Sequence, residues 1–167
     1  MLKRFFPDAY YDSVFSVPFD MLWAEGIRGL IIDIDNTLAT FDVPDPPEAV
    51  VQLLQDLCGK GFQVCLFSNN KKERVERFNA NLKLNAIHKA GKPKKRGVRQ
   101  ALAMLGVPRE QVALIGDQLF TDVWCGNRNG LKSILVEPIA KRDEWTVMLK
   151  RKPEQIVMRA YRKRCGL

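Results

Sequence analysis

The chain has 167 residues, enough for one compact domain with a hydrophobic core, and its 46% apolar and 28% charged content is ordinary for a globular protein. It has no run of about 18 apolar residues and no apolar secretion signal at its N-terminus, so we expect neither a spanning helix nor export. The net charge of +8 suits a polyanionic partner, and a solvated basic surface explains it equally well.

The four cysteines form no Cys-x-x-Cys pair, and three of them lie in apolar runs, which favours a reducing compartment. We therefore expect a cytoplasmic protein, with a peripheral position on the inner face of the membrane as the second location that its charge allows. The oligomeric state is left open by the sequence.

Short β-branched apolar runs alternate with stretches of helical periodicity, a pattern typical of parallel strands joined by crossover helices. The predicted strands are 30–34, 63–67, 86–89, 112–115 and 133–136. The predicted helices are 47–57, 71–80, 97–105, 120–127 and 154–163. The first, second and fourth strands are almost entirely apolar, so we place them at the centre of the sheet. We expect one α/β domain in three α/β/α layers, with a core at about 29–137, an aromatic N-terminal segment at 1–28 and a basic tail at 138–167.

The first predicted strand runs into Asp33 and Asp35, whose side chains start on the same side of the strand. Ligands of open parallel sheets bind outside the carboxyl ends of the strands. Two neighbouring carboxylates repel each other and call for a compensating hard cation such as Mg²⁺. The alternative is a pair of turn-forming aspartates without a ligand.

The second and third strands also end in polar residues that suit a phosphate group. Ser68 and Asn69 follow the second strand, where a hydroxyl and backbone N–H groups can hold phosphate oxygens, although a serine here is also a common helix cap. Lys92 follows the third strand and can neutralise phosphate charge. Lys94, Lys95 and Arg96 are alternatives for this role, and we favour Lys92 because Pro93 restricts the neighbouring backbone.

The fourth strand ends at Asp117, and a further acid, Asp122, stands five residues later where a helix is predicted to begin. Aspartate is rare in strands, so Asp117 is a candidate third anchor for the metal ion. Asp122 is a candidate for orienting Asp117 or Lys92. The alternative for Asp122 is a favourable charge at a helix N-terminus.

In this order the residues resemble the four motifs of the haloacid dehalogenase (HAD) superfamily. The matching segments are the run from Asp33 to Thr37, Ser68, the Lys92-Pro93 pair, and Gly116-Asp117 with Asp122. The form of the first motif and the Lys-Pro pair resemble subfamily IIIA. More narrowly, the chain resembles the YqeG family of phosphatases, which is related to mitochondrial phosphatidylglycerophosphate phosphatase. This narrower resemblance includes the aromatic stretch at 7–19 and a tail with Trp145.

The resemblance implies a HAD-like, Rossmann-like fold and a Mg²⁺-dependent phosphomonoester hydrolase. Asp33 would be the nucleophile that forms a phospho-aspartyl intermediate, and Asp35 would protonate the leaving oxygen and later activate water. Mg²⁺ would be held by the side chains of Asp33 and Asp117 and by the backbone carbonyl of Asp35. Lys92 and Ser68 would spread the charge of the transferring group.

Two residues have supporting roles in this scheme. Asn69 would add a backbone contact to the phosphate, and Thr37 would hold its loop together.

Relatives carry a cap domain either just after the first motif or between the second and third motifs, and this sequence leaves little room at either position. The resemblance therefore implies a capless, open site. An open site favours a large substrate whose bulk excludes water. The basic tail and the N-terminal aromatic residues could seat the enzyme on an anionic membrane, which makes phosphatidylglycerophosphate the leading substrate. These aromatic residues are Phe5, Phe6, Tyr10, Tyr11, Phe15, Phe19 and Trp23. Alternatively, they cover the sheet edge as part of the core.

Two other functions remain open at this point. One is a phosphatase of soluble metabolites or nucleotides. The other is a nucleic-acid-binding or ribosome-associated module with a vestigial active site, against which the complete set of acids argues.

Overall fold

The computed structural model describes residues 2–140 and 145–165. These residues contain one six-stranded sheet in which every strand pair is parallel. The strands are β1 (Ala9–Tyr11), β2 (Gly29–Ile32), β3 (Gln63–Phe67), β4 (Asn85–Ile87), β5 (Val112–Gly116) and β6 (Lys132–Val136). Their order across the sheet is β1-β6-β5-β2-β3-β4, so the three most apolar strands are neighbours in the interior, as predicted.

Six α-helices accompany the sheet in the described part of the chain. They are α1 (Phe19–Ala24), α2 (Glu48–Gly59), α3 (Lys72–Asn79), α4 (Lys95–Leu105), α5 (Trp124–Asn129) and α6 (Trp145–Cys165). Short 3₁₀ turns at Leu2–Phe5, Val14–Ser16 and Arg109–Gln111 and a π-helical turn at Leu119–Val123 complete the secondary structure.

The strands bury both of their faces, because alternate side chains enter two separate hydrophobic clusters. Leu30 and Ile32 pack with residues of α1, α2 and α3, whereas Ile31 packs with residues of α4 and α5. This arrangement explains why β2 is apolar at every position rather than at alternate positions. The three-layer α/β/α fold predicted from the sequence is confirmed.

The predicted boundaries differ from the structure mainly where the chain departs from regular geometry. Strand β4 ends at Ile87 rather than at 89, because Lys89 adopts a left-handed backbone conformation with φ of 45°. The helix predicted at 120–127 is a π-helical turn that continues into α5. Helix α6 begins at Trp145 rather than at 154 and contains Pro153.

The N-terminal segment was not predicted to contain a strand, yet β1 extends the sheet beside β6. The carboxylate of Asp8 ties the segment down by accepting hydrogen bonds from the backbone N–H (2.8 Å) and the hydroxyl (3.0 Å) of Ser133. The ring of Phe5 packs edge-on against that of Phe120, with 4.9 Å between centroids, and Trp23 packs against Phe62 at 5.0 Å. Of the seven N-terminal aromatic residues, Phe19 is buried and Phe15 is 53% exposed. The other five are half-buried and pack against the hydrophobic clusters, namely Phe5, Phe6, Tyr10, Tyr11 and Trp23.

Helix α6 packs on this N-terminal segment and on the turn after β5. Val157 is buried in a cluster with Leu119, and the carboxylate of Glu154 accepts a hydrogen bond of 3.0 Å from the Leu119 N–H. No helix in the described ranges is both long enough and apolar enough to cross a membrane. The side chain of Trp145, at the start of α6, lies outside the described residues.

Candidate active site

The predicted site residues meet at the carboxyl edge of the sheet, just beyond the ends of β2, β3, β4 and β5. Between residues 33 and 92, all of which are described, only a loop and α2 separate β2 from β3, and only α3 separates β3 from β4. No domain is inserted over this edge by those connections. A cleft of about 640 Å³ opens here, with Asp33, Asp35, Ser68 and Lys92 in its lining.

Asp33, Lys92 and Asp122 form a buried chain of ion pairs at the floor of the cleft. The ammonium group of Lys92 donates to Asp33 Oδ1 at 2.5 Å and to Asp122 Oδ1 at 2.7 Å. Only 4% of the Lys92 side chain is exposed to solvent. Lys94, Lys95 and Arg96, the alternatives left open by the sequence, are exposed and make no such contact with the acids that the structure describes.

Both partners of this ion pair have altered pKa values. Burial raises the pKa of Asp33 from 3.8 to about 7; Lys92 opposes this rise and the negative charge of Asp122 adds to it. Burial alone would lower the pKa of Lys92, but the charges of Asp122 and Asp33 outweigh burial and raise it. Lys92 is therefore a permanent cation in the site.

Asp117 joins Asp33 and Asp122 to form a cluster of three buried carboxylates. One oxygen from each lies within 4.8 Å of those of the other two. Asp117 Oδ1 is buried and has no hydrogen-bond partner among the described residues. Burial and the charges of Asp33 and Asp122 raise the pKa of Asp117 well above its usual range. The single ammonium group of Lys92 cannot balance the charge of three carboxylates. Carboxylate oxygens are ligands that suit a hard divalent cation.

Asp35 points away from this acid cluster, toward β3 and α3. Its Oδ2 accepts hydrogen bonds from the Ser68 hydroxyl at 3.1 Å and from the Asn70 amide at 3.3 Å. Its Oδ1 lies 3.2 Å from a guanidinium nitrogen of Arg74. Asp35 is thus an acid of the cleft lining that lies outside the cluster of three carboxylates, and a role for its backbone carbonyl in metal binding stays a prediction.

Arg74 was not identified from the sequence, although it holds Asp35 in place. Its guanidinium group also donates to the backbone carbonyls of Pro44, at 2.9 Å, and Thr40, at 3.4 Å, so it ties the loop after β2 to α3. The side chain is only 12% exposed. An arginine in a helix of alternating charges gives no sequence signal for such a role, because its partners are 30 or more positions away.

Asp122 is positioned by the turn that follows β5. Its Oδ2 accepts hydrogen bonds from the backbone N–H of Gln118 at 3.1 Å and from the Thr121 hydroxyl at 3.4 Å. The acid packs directly on Gly116, where an added Cβ would lie 2.3 Å from Asp122 Cγ. The π-helical turn and the glycine together bring Asp122 against Lys92, and π-helical turns are frequent at functional sites.

The remaining predicted residues also line or support the cleft. The Thr37 hydroxyl donates to Asp33 Oδ2 at 3.3 Å, in agreement with a supporting role. The Ser68 hydroxyl also accepts the Asn70 N–H at 3.0 Å. The Asn69 side-chain oxygen accepts a hydrogen bond of 2.8 Å from the backbone N–H of Lys92. Asn69 therefore positions the backbone at Lys92 and also lines the cleft.

Comparisons with known proteins agree with this geometry. The HAD-hydrolase-like family model matches residues 89–160. A Bacillus subtilis (strain 168) protein named "Probable phosphatase YqeG" is 34% identical over 165 residues, which cover 98% of this chain and 96% of that protein. The chloroplastic phosphatidylglycerophosphate phosphatase 1 of Chlamydomonas reinhardtii is 28% identical over 144 residues, 80% of this chain and 54% of its own length.

A solved structure shows the same fold at low sequence identity. The cobalt-bound form of the deoxy-D-mannose-octulosonate 8-phosphate phosphatase (YrbI) from Haemophilus influenzae superposes with a TM-score of 0.53 at 16% identity, over 82% of this chain and 90% of that one. Because an identity of 34% extends over almost the whole of this chain and of the Bacillus protein, the chain belongs to the YqeG family of HAD-superfamily phosphatases, hydrolases of phosphate monoesters.

Proposed function

We propose that Asp33 is the nucleophile of a Mg²⁺-dependent phosphatase that acts through a phospho-aspartyl intermediate, with phosphatidylglycerophosphate as its substrate. One observation carries this proposal: a carboxylate at the floor of an open cleft is bound by a buried lysine and accompanied by two further buried acids. A purely structural ion pair would not require three acids around one lysine.

In the first step, an Asp33 carboxylate oxygen attacks phosphorus, and the bond between phosphorus and the ester oxygen breaks. The departing oxygen takes a proton from Asp35, which lines the cleft and is held by Ser68, Asn70 and Arg74. Lys92, bound to both Asp33 and Asp122, keeps a positive charge beside the transferring group.

In the second step, Asp35 removes a proton from a water molecule, which attacks phosphorus and releases inorganic phosphate. The carboxylate of Asp33 is regenerated, so atoms and charge balance over the cycle. The Ser68 hydroxyl and the Asn69 region face the same cleft, where they are available to phosphate oxygens.

Asp33 and Asp117 would hold the metal ion through their side chains, with the backbone carbonyl of Asp35 as a further ligand. When bound, Mg²⁺ would supply the positive charge that the acid cluster lacks and favour the ionised form of Asp33. The buried, unbonded oxygen of Asp117 supports this assignment.

Two observations support a lipid phosphomonoester as the substrate. The cleft is open to solvent and leaves room for a bulky leaving group. The chloroplastic relatives are named phosphatidylglycerophosphate phosphatases, although the chain spans only about half the length of the algal one.

The test is a phosphate-release screen with phosphatidylglycerophosphate, nucleotides and sugar phosphates, each with Mg²⁺ and with a chelator. We expect metal-dependent release from the lipid that falls by about three orders of magnitude or more in Asp33→Asn, as for loss of other nucleophiles. Asp56→Asn, which changes an exposed acid on α2, should retain activity.

The outcomes separate the parts of the proposal. Equal release by Asp33→Asn would remove Asp33 from its assigned role. Release from soluble esters but not from the lipid would identify a soluble-metabolite phosphatase and leave the mechanism standing.

A further inference from the structure

The loop after β4 carries a group of exposed cations that the catalytic scheme does not use. We define the basic loop as Lys89 and Lys94 together with Lys95 and Arg96, which begin α4; all four are exposed. None of them forms an ion pair with any residue in the described ranges. Some exposed cations elsewhere, such as Arg77 and Lys72, do pair with acids, namely Asp45 and Glu76.

The surroundings of the basic loop contain no compensating acid. From 81 to 109 the sequence has no aspartate or glutamate. Lys89, Lys94 and Arg96 line a surface cavity of about 450 Å³, whose lining includes His88 and Gln100 but no carboxylate. This part of the surface is therefore a concentrated positive field, which attracts anions and is screened by salt.

Lys92, which contacts Asp33 in the cleft, lies between Lys89 and Lys94 in the chain, so the basic loop belongs to the edge of the sheet at which the catalytic cleft opens. Every strand is parallel, and loops that follow strands therefore lie at this edge, whereas loops that precede strands lie at the opposite one. A partner bound by the basic loop would cover the mouth of the cleft.

Two exposed apolar side chains accompany the cations at this edge. Phe41, 55% exposed, follows β2 and lines the cleft, and Ile139, 52% exposed, follows β6. The N–H of Ile139 donates to the Asn36 carbonyl at 3.0 Å, which places it beside the first motif. The exposed acids near these side chains are Asp42, in the cleft lining, and Glu137, which follows β6 and accepts a hydrogen bond from the Tyr10 hydroxyl; Asp45 is paired with Arg77. Exposed apolar groups at the same edge of the sheet as unpaired cations favour an anionic lipid interface over a nucleic acid.

We propose that the basic loop, with Phe41 and Ile139, docks the catalytic edge onto the surface of an anionic lipid bilayer. The cations bind lipid phosphates, the two apolar side chains enter the interface, and the cleft faces the headgroups. This inference rests on the proposed function, a phosphatase of a lipid phosphomonoester. Docking at this edge would bring the open cleft to a phosphomonoester that is embedded in a bilayer.

The experiment compares two triple variants of the full chain. Lys94→Gln/Lys95→Gln/Arg96→Gln removes three charges from the basic loop. The matched control, Lys83→Gln/Arg109→Gln/Arg128→Gln, removes three exposed charges that precede β4, β5 and β6 and therefore lie at the opposite edge. Binding is measured by co-sedimentation with phosphatidylcholine vesicles, with and without added phosphatidylglycerol.

We expect the native chain to bind the anionic vesicles and not the neutral ones, with weaker binding at high salt. The loop variant should lose about a hundredfold in its partition coefficient, since each cation near an anionic bilayer contributes about 1 kcal/mol. The control variant should bind within a few fold of the native chain. Ile139→Ser should weaken the binding that persists at high salt.

Equal losses in the two triple variants would overturn the proposal, because the binding would then follow net charge rather than this edge. Absence of binding to anionic vesicles, or loop-dependent binding to RNA instead, would also overturn it. Unchanged hydrolysis of a water-soluble phosphomonoester shows that the loop variant is folded. Because sedimentation does not require turnover, a failure of docking is distinguishable from a failure of the phosphatase assignment.

Discussion

Asp33 illustrates how one residue links catalysis to stability. Its pKa in the folded, metal-free protein is about 7, against an ordinary value of 3.8. Folding therefore favours the protonated carboxyl group. The stabilisation from this group is fully present below about 3.8 and is lost as the pH rises to about 7.

This leads to a prediction for the metal-free protein. The melting temperature of the chelator-treated chain should fall as the pH rises through the interval from 3.8 to about 7. Asp33→Asn should reduce this fall and melt higher than the native chain at the alkaline end, because it removes one of the three clustered acids. Scanning calorimetry across this range measures both effects, with Asp56→Asn as the control. An unchanged pH dependence in Asp33→Asn would contradict the prediction.

Arg74 is a positioning residue, since it contacts Asp35 and backbone carbonyls rather than the cleft floor. Arg74→Gln should lower kcat by about tenfold to a hundredfold with little change in KM, because a displaced general acid affects the chemical step more than binding. Arg74→Lys should recover part of the loss. Arg77→Gln on the same helix removes only an exposed pair with Asp45 and should leave kcat unchanged. Equal losses in the two glutamine variants would refute the positioning role.

Among elements, the turn from β5 to α5 shows how backbone geometry positions a functional side chain. Gly116 must lack a side chain because Asp122 occupies the space beside it. The glycine therefore sets the distance between β5 and the acid that binds Lys92.

Gly116→Ala tests this directly. The added methyl group would displace Asp122 and with it Lys92, so we expect loss of most activity together with about 1–3 kcal/mol of stability. Gly59→Ala, in α2 with no atom within 4 Å of the added Cβ, should instead stabilise the protein by about 0.5–1 kcal/mol. Full activity in Gly116→Ala would show that Asp122 can move without consequence.

The elements that were predicted well are those whose secondary structure follows from the pattern of their own residues. The five predicted strands appear in the structure, and β3 matches to the residue at Gln63–Phe67, because a buried parallel strand is a continuous apolar run. The π-helical turn at Leu119–Val123 has no local signal, since its geometry follows from packing against β5 and β6. Strand β1, three residues long, exists because β6 pairs with it.

At the scale of the whole molecule, the N-terminal segment closes the sheet and supports α6. Asp8 bonds to Ser133, which is fully buried in β6, and Phe6 packs against Tyr161 of α6 with 5.7 Å between ring centroids. These contacts join the two ends of the described chain.

Asp8→Ala should lower the free energy of unfolding by about 1–3 kcal/mol, because it removes the carboxylate that accepts the backbone N–H of buried Ser133, whereas the Ser133 hydroxyl keeps its hydrogen bond to Asn127. Phosphatase activity should persist at temperatures below the transition, since the contact is remote from the cleft lining. Asp12→Ala, at an exposed neighbouring position, is the control and should change stability little. Chemical denaturation measures the difference, and equal stability of the two variants would contradict it.

Local sequence patterns were sufficient to predict the fold class, the five strands 30–34, 63–67, 86–89, 112–115 and 133–136, and the acids that follow the strand ends. Apolar periodicity and the polar residues at strand ends can be recognised in consecutive residues. Because ligands of parallel sheets bind at the carboxyl edge, the polar residues at those ends predict where the site lies. The sequence already favoured Lys92 over its neighbours, because Pro93 restricts the adjacent backbone. The tertiary structure was needed to show the contacts of Lys92 with Asp33 and Asp122, the support of Asp35 by Arg74, the packing of the aromatic segment and the exposure of the basic loop. The contacts of Lys92 and Arg74 join residues that are 30 or more positions apart, and no pattern of consecutive residues encodes such contacts.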